Sequence, residues 1–331
     1  MRAVAAVLAC LALAACATPA IQPPLTPPPG FPGPRLELGP TGTGTLVADD
    51  GARLPLSAWT PAQGEPWAVV VALHGMNDHA ASFGLAGPAW AERGIATYAY
   101  DQRGFGGAPG RGVWAGQARV IEDLRLAVAL ARARHPGAVV AVAGESMGGG
   151  VAILAFASDR PPEADRLVLL APAVWGWSSQ PVANRASLWV AARLLGSVAA
   201  EPPEIAVRDI LASSNLPELY RMGRDPEMIF ATRFDTLYGL VQLMEDASRV
   251  LGRVRAPTAY LYGATDQIIP REATLRALAS APAGMRTAYY PAGRHLLNRD
   301  FQAGAVYADV EAFLRSPGAA WPSGAGPVPV N

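Results

Sequence analysis

Short apolar segments recur along the middle of the chain with helical segments between them, and this alternation limits the possible folds more than any other feature. Each segment is rich in Val, Ile, Leu or Tyr, shows little alternation of polar and apolar residues, and is flanked by turn residues. The five clearest segments are 68–73, 95–100, 138–143, 166–170 and 258–262. This pattern is typical of parallel strands covered on both faces. Because strands and helices alternate over short connections, the sequence predicts an α/β fold with a mostly parallel, doubly wound sheet.

The other predicted elements complete this sheet and add an insertion. A further strand is expected at 285–290, a hairpin at 43–48 and 54–59 turning at Asp50-Gly51, and helices at 117–134, 147–158, 271–279 and 303–314. Between residues 172 and 255 the strand–helix alternation stops, while helical character continues on both sides of Pro202-Pro203. We interpret residues 172–255 as an inserted helical lid.

Composition excludes several classes of protein. The 331 residues are 51% hydrophobic and 16% charged, with 27 basic and 27 acidic side chains. A disordered chain would have fewer apolar residues and more net charge. The balanced charge also lacks the basic excess of a nucleic-acid-binding protein. Beyond the N-terminal segment no apolar run is long enough for a polytopic membrane protein.

One predicted strand runs directly into the sequence Gly144-Glu145-Ser146-Met147-Gly148-Gly149, and an apolar helix follows. This is G-x-S-x-G in the strand–turn–helix context of a nucleophile elbow. Such a turn presents the serine hydroxyl at the carboxyl edge of the sheet, beside a helix N-terminus that favours developing negative charge. Ser146 is therefore the predicted nucleophile.

A serine nucleophile needs a base within hydrogen-bond reach, and the base needs a carboxylate to orient it. After a nucleophile elbow, the acid and then the base follow the serine along the chain. Of the four histidines only His295 lies downstream, so His295 is the predicted base. Asp266 follows a predicted strand at the same sheet edge and is the predicted acid. Downstream alternatives such as Asp165, Asp235 and Asp246 lie before a strand or inside the lid, where solvation is the expected role.

Four stretches together resemble the monoacylglycerol lipase and lysophospholipase branch of the α/β-hydrolase fold. The first is His74-Gly75-Met76-Asn77-Asp78-His79, which is similar to the family's H-G-x-x-x-H oxyanion loop. The second is Asp101-Gln102-Arg103-Gly104-Phe105-Gly106, which is similar to its D-x-R-G-x-G turn. The other two are the elbow at 144–149 and the segment with the predicted base, His295-Leu296-Leu297-Asn298. The resemblance covers about residues 43–316 and implies a triad of Ser146, Asp266 and His295 under the lid. Glu145 departs from the family, because many members have His at that position.

The resemblance also implies an oxyanion hole formed by the backbone N–H groups of Met76 and Met147. The expected function is a serine esterase that hydrolyses carboxylic esters of the monoacylglycerol or lysophospholipid type through an acyl-enzyme. An acyltransferase with the same triad, a peptidase of the same architecture and a non-catalytic envelope lipoprotein are the alternatives. No metal or cofactor is expected, because the His and Cys spacing of a metal site is absent.

Both ends of the chain are predicted to lie outside a hydrolase domain at residues 36–316. Residues 1–15 have the short basic start and apolar run of a secretory signal. Leu13-Ala14-Ala15-Cys16 resembles a bacterial lipobox, which implies a lipid anchor on Cys16 and a place at the outer membrane, facing the periplasm; a secreted protein cleaved nearby is the alternative. Eight prolines between residues 19 and 34 predict an extended spacer over 16–35, about 50 Å long at most, and residues 317–331 are predicted to be a flexible tail.

Overall fold

A nine-stranded sheet forms the core of residues 18–329, the part of the chain that this computed structural model describes. In chain order the strands are β1 (Arg35–Leu38), β2 (Thr43–Val47), β3 (Arg53–Trp59), β4 (Ala68–Leu73), β5 (Ile95–Tyr100), β6 (Val139–Glu145), β7 (Arg166–Leu170), β8 (Ala199–Ala200), β9 (Thr232–Arg233), β10 (Thr258–Gly263) and β11 (Arg286–Tyr290). The sheet order is β1-β2-β3-β5-β4-β6-β7-β10-β11, and β8 pairs with β9 separately. From β5 to β11 all neighbours are parallel, whereas β1, β2, β3 and β5 pair antiparallel.

Helices cover both faces of this sheet, as the apolar strands require. They are α1 (Ala86–Ala91), α2 (Gln117–Arg134), α3 (Met147–Phe156), α4 (Val182–Leu194), α5 (Glu204–Val207), α6 (Leu216–Met222), α7 (Phe234–Val250), α8 (Arg271–Leu278) and α9 (Ala303–Arg315). One core cluster joins the sheet to α2, α3 and α8, and a second joins its other face to α1 and α9. The predicted α/β class with a doubly wound, mostly parallel sheet is confirmed.

The inserted lid lies between β7 and β10 and contains α4, α5, α6 and α7. Its longest helix, α7, packs on α3, the helix that follows the elbow. A methyl group added at Gly150 of α3 would lie 2.5 Å from Cδ2 of Leu243 in α7, so the two helices are in close contact. The lid is thereby held over the carboxyl edge of the sheet.

The described part of the N-terminal segment contacts the domain, whereas we predicted a spacer outside it. Gln22 donates its backbone N–H to the Trp114 carbonyl at 2.8 Å and its side-chain amide to the Val113 carbonyl at 2.7 Å. Unlike its proline neighbours, Gln22 has donors with which to bind a loop that presents free carbonyls. Residues 1–17, which include the predicted signal and Cys16, lie outside the described residues.

The C-terminal residues 317–329 are packed, which corrects the prediction of a flexible tail. The Trp321 indole donates to the Thr287 carbonyl at 3.0 Å, and the Val328 N–H donates to the Thr287 hydroxyl at 3.0 Å. Both side chains are buried. Its proline-rich composition is typical of a loose segment, but the Trp321 indole and the Val328 backbone N–H bind it to β11. No helix within residues 18–329 is both long and apolar enough to cross a bilayer.

Candidate active site

Ser146 occupies a strained turn between β6 and α3. Its φ of 50° and ψ of −114° lie in a region that non-glycine residues rarely adopt. Two flanking glycines permit the turn. A methyl group added at Gly144 would lie 2.5 Å from the carbonyl oxygen of Gly148, and one added at Gly148 would lie 2.4 Å from the carbonyl oxygen of Leu73. Strain of this kind persists only where the surrounding structure enforces it, and it is concentrated at functional sites.

Asp266 and His295, predicted as acid and base, are in direct contact. Nδ1 of His295 lies 2.8 Å from Oδ2 of Asp266, and their side chains are 3% and 0% exposed. Because a carboxylate only accepts, Nδ1 carries the proton and Nε2 is left as the acceptor of the neutral ring. The other Asp266 oxygen accepts from the N–H groups of Ile268 and Ile269 at 2.8 and 2.9 Å. The acid is therefore fixed by its own loop.

The environment of His295 favours its protonated form. Burial alone would lower its pKa, but the charge of Asp266 and their hydrogen bond, together with the charge of Glu145, raise the pKa above the ordinary value. Within the described chain no hydrogen bond joins Ser146 Oγ to His295. Such contacts are often long before substrate binds.

The three aspartates weighed against Asp266 in the sequence have partners elsewhere. Asp165 pairs with Arg132, Asp235 with Arg233, and Asp246 accepts from the amides of Gln117 and Gln242. Asp266 is therefore the downstream aspartate that the fold brings to His295.

The loop after β4 approaches the serine from the opposite side. A methyl group added at Gly75 would lie 3.3 Å from Cβ of Ser146. His74 braces this loop: its Nδ1 donates to the Gly75 carbonyl at 2.7 Å, and its Nε2 accepts the Gln102 N–H at 2.9 Å. Burial lowers the pKa of His74, which agrees with a neutral ring.

Two backbone donors are available near the serine. Met76 donates its N–H to no other group among residues 18–329. Met147 is the first residue of α3, where an N–H has no partner within the helix. The next loop residue, Asn77, has a φ of 64°, so the loop is strained as well.

A cavity of about 770 Å³ opens at the serine, between the sheet edge and the lid. The sheet side contributes Met76, Asn77, Ser146, Ile268 and Ile269. The lid contributes mostly apolar side chains, with three polar ones on or beside α4: Trp175, Leu188, Ala191, Phe234, Leu237, Leu240, Val241 and Met244, and Gln180, Asn184 and Ser187. Such a volume and lining are typical of a small-molecule site.

This geometry agrees with what the chain is similar to. Residues 64–302 match the Hydrolase_4 family, described as serine aminopeptidase, S33. The match covers more than half of the chain. The protein belongs to the Hydrolase_4 family. It is an α/β-hydrolase enzyme, as the resemblance in the sequence implies.

Curated and solved relatives of the family support this membership. The monoacylglycerol lipase of Mycolicibacterium smegmatis is 31% identical over 66% of this chain and 77% of that protein, and the monoglyceride lipase of Rattus norvegicus is 26% identical over 77% and 84%. A soluble variant of monoglyceride lipase from Saccharomyces cerevisiae, solved with a substrate analog, has a TM-score of 0.70 at 19% identity and covers 90% of this chain and all of that one. The last likeness shows the shared fold.

A buried ionic cluster lies next to the candidate active site, and it was not predicted from the sequence. Nη2 of Arg299 lies 2.5 Å from Oε1 of Glu145 and 2.7 Å from Oδ2 of Asp78. Burial would lower the pKa of Arg299, but the two carboxylates raise it. Burial raises the pKa of Glu145 and is only partly opposed by Arg299. Burial would also raise the pKa of Asp78, but Arg299, His74 and the His79 N–H together lower it. A signal was available, because each residue lies within four positions of a predicted site residue.

A second cluster joins the oxyanion loop to the lid. Nε2 of His79 lies 3.1 Å from Asp225, and Nδ1 lies 3.1 Å from Glu227. These three side chains have the composition of a metal site. However, a metal would share one ring nitrogen with both carboxylates, whereas here each carboxylate contacts a different nitrogen of the ring. The arrangement fits polar contacts that hold the lid to the loop, and we assign no metal to it.

Proposed function

We propose that the protein is a monoacylglycerol lipase in which Ser146, Asp266 and His295 form the catalytic triad. The observation that carries this proposal is the buried His295–Asp266 hydrogen bond of 2.8 Å at the sheet edge where the strained Ser146 opens into a mostly apolar cavity. Family membership already makes the protein a carboxylic ester hydrolase; the triad and the substrate are what we add.

In the proposed reaction, Ser146 Oγ attacks the ester carbonyl carbon while Nε2 of His295 takes its proton. The carbonyl oxygen becomes an oxyanion, which the N–H groups of Met76 and Met147 stabilise. Asp266 stabilises the imidazolium that forms. The tetrahedral intermediate then expels the alcohol, which receives the proton from His295. Water repeats the sequence on the acyl-enzyme and releases the fatty acid.

The cavity and the relatives support the proposed substrate class. One acyl chain fits the apolar lining from α7, whereas Gln180, Asn184 and Ser187 can receive hydroxyl groups. Two relatives carry the names monoacylglycerol lipase and monoglyceride lipase. These points favour a single-chain glycerol ester over a lysophospholipid, since among the described residues that line the cavity there is no Lys or Arg to pair with a phosphate.

A substrate panel tests this proposal. Purified protein would be assayed on monoacylglycerols, lysophosphatidylcholine and p-nitrophenyl esters of increasing chain length. We expect monoacylglycerol hydrolysis and higher kcat/KM for medium or long chains than for acetate. Activity confined to acetate would contradict the lipid assignment. Product analysis with added glycerol would reveal transfer to an alcohol instead of water.

We also propose that Cys16 carries a lipid anchor and that the protein lies at the outer membrane, facing the periplasm. The lipobox-like Leu13-Ala14-Ala15-Cys16 supports this location. Mass spectrometry of the mature N-terminus should find an acylated Cys16. The Cys16→Ala variant should lose membrane association, and a variant that stays in the outer-membrane fraction would contradict the anchor.

A further inference from the structure

Arg299 connects three segments that the proposed reaction uses. It lies four residues after His295, and its side chain is fully buried. Its Nη2 is 2.5 Å from Oε1 of Glu145, the residue immediately before Ser146. The same nitrogen is 2.7 Å from Oδ2 of Asp78, two residues after Met76. One guanidinium thus joins the base loop, the nucleophile turn and the oxyanion loop.

Each carboxylate is coupled to the backbone or loop beside it. The other oxygen of Asp78 accepts the N–H of His79 at 2.8 Å, so the charge pair also fixes the course of the oxyanion loop. A methyl group added at Gly75 of that loop would lie 3.6 Å from Oε1 of Glu145. A change at Arg299 would therefore reach both loops that flank Ser146.

Stability is a poor explanation for this cluster. Removing two carboxylates and a guanidinium from water is costly, and a well-packed apolar set of similar volume is often as stable or more stable. The cluster is not fully satisfied either: among the described residues, Oε2 of Glu145 and Nε of Arg299 have no hydrogen-bond partner. Charged groups form short, directional hydrogen bonds, which apolar side chains cannot form.

We propose that Arg299 is a positioning residue. Through Glu145 and Asp78 it fixes the base loop, the nucleophile turn and the oxyanion loop relative to one another. This inference rests on the proposed function, because the relative positions of the three segments matter for the attack of Ser146 on the ester. Arg299 touches no reacting atom and acts through its two partners.

The main test compares Arg299→Met with Arg103→Met. Arg103 is a matched control, since it is also buried and pairs with two carboxylates, Asp50 and Asp123, that belong to none of the three segments. Both variants should lower the melting temperature. At a temperature where both are folded, Arg299→Met should lower kcat about 100-fold with little change in KM, as a misplacement of about 1 Å can do. Arg103→Met should keep kcat near the wild-type value.

Two further variants separate positioning from stability. Arg299→Lys keeps the charge and should recover part of the lost kcat. The triple variant Arg299→Met/Glu145→Gln/Asp78→Asn carries no stranded charge, so it should regain melting temperature while kcat stays low. A triple variant with wild-type kcat would overturn the inference, even if Arg299→Met alone does not fold.

A pH profile of kcat/KM separates positioning from stability, because a purely structural role of Glu145 would leave the acid limb of the profile unchanged. Glu145 is one of the charges that favour protonated His295. The Glu145→Gln variant should therefore shift the acid limb of kcat/KM to lower pH, and an unmoved limb would contradict the link between Glu145 and the base.

The outcomes distinguish the two proposals. Wild-type protein that hydrolyses no ester and reacts with no serine-directed probe would overturn the proposed function and this inference with it. Active wild-type protein with equal kcat in Arg299→Met and Arg103→Met would overturn this inference alone.

Discussion

The cavity is enclosed by two regions that differ in how firmly their side chains are held. At the sheet edge, His295 and Asp266 are 3% and 0% exposed, and the buried Arg299 cluster lies beneath them. In the lid, α4 buries one of its thirteen residues, Ala192. Side chains at the edge have fixed partners, whereas many lid side chains face solvent. We therefore expect the edge to determine the chemistry and the lid to determine which ester is accepted.

The largest effect should come from Ser146→Ala, which removes the proposed nucleophile and leaves the lid intact. Hydrolysis of a p-nitrophenyl ester should fall about 10⁴- to 10⁶-fold. The fold should persist, because alanine retains the Cβ atom that the turn already accommodates. A folded variant with activity within tenfold of wild type would contradict the role of the edge.

Asp266→Asn should lower kcat by about 10⁴-fold, because the amide no longer stabilises the imidazolium or fixes the His295 tautomer. Asp246→Asn is the control: it also lies downstream of Ser146, but in α7, where it binds glutamine amides. Its kcat should stay within about twofold of wild type. Equal losses in the two variants would contradict the assignment of the acid.

A change in the lid should alter substrate choice and not chemistry. Leu188 of α4 lines the cavity, so Leu188→Trp should lower kcat/KM for a long-chain ester by about 10- to 100-fold while acetate hydrolysis changes little. Val182→Trp on the same helix is the control, since Val182 is 74% exposed and does not line this cavity. Loss of acetate and long-chain activity in parallel would show that the lid also controls chemistry.

The pH dependence tests the electrostatics of the edge. His295, the proposed base, can accept a proton only when neutral, and its pKa is raised above the ordinary histidine value of 6.5. The kcat/KM of wild-type protein should therefore fall about tenfold per pH unit on the acid side, with a midpoint above 6.5. A midpoint below 6.5 would mean that burial outweighs Asp266 and Glu145.

The smallest effect concerns the N-terminal segment, which lies far along the chain from the edge residues. Gln22→Ala removes a side-chain donor and should weaken docking of this segment by about 1 kcal/mol. Hydrogen exchange around residues 19–28 should become faster, while kcat stays unchanged. Gln63→Ala, at an exposed loop position, should change neither. A large loss of activity in Gln22→Ala would mean that the segment supports the lid.

The sequence predicts the edge far better than the lid, and the reason is physical. Buried parallel strands leave a continuous apolar pattern, and the elbow needs glycines at fixed positions, so both can be read locally. The short helix α1 was missed because Gly87 and Pro88 interrupt its pattern. Strand β1 was missed because it is four residues long and half-buried.

Long-range pairing is the other source of misses. Although Arg299, Asp78 and Glu145 all lie near predicted site residues, the sequence does not pair them: both partners of Arg299 are more than 150 positions away, and only the fold brings their loops to one edge. Likewise, the packing of Trp321 on β11 depends on a sheet edge that the C-terminal composition does not reveal.

The most direct test of the account is to map where a fluorophosphonate probe reacts. This reagent forms a covalent adduct with a serine activated by a neighbouring base. In wild-type protein, intact-mass analysis should show one adduct, and peptide mapping should place it on Ser146; Ser146→Ala should remain unmodified. A folded wild-type protein without an adduct, or an adduct on a residue other than Ser146, would contradict the account.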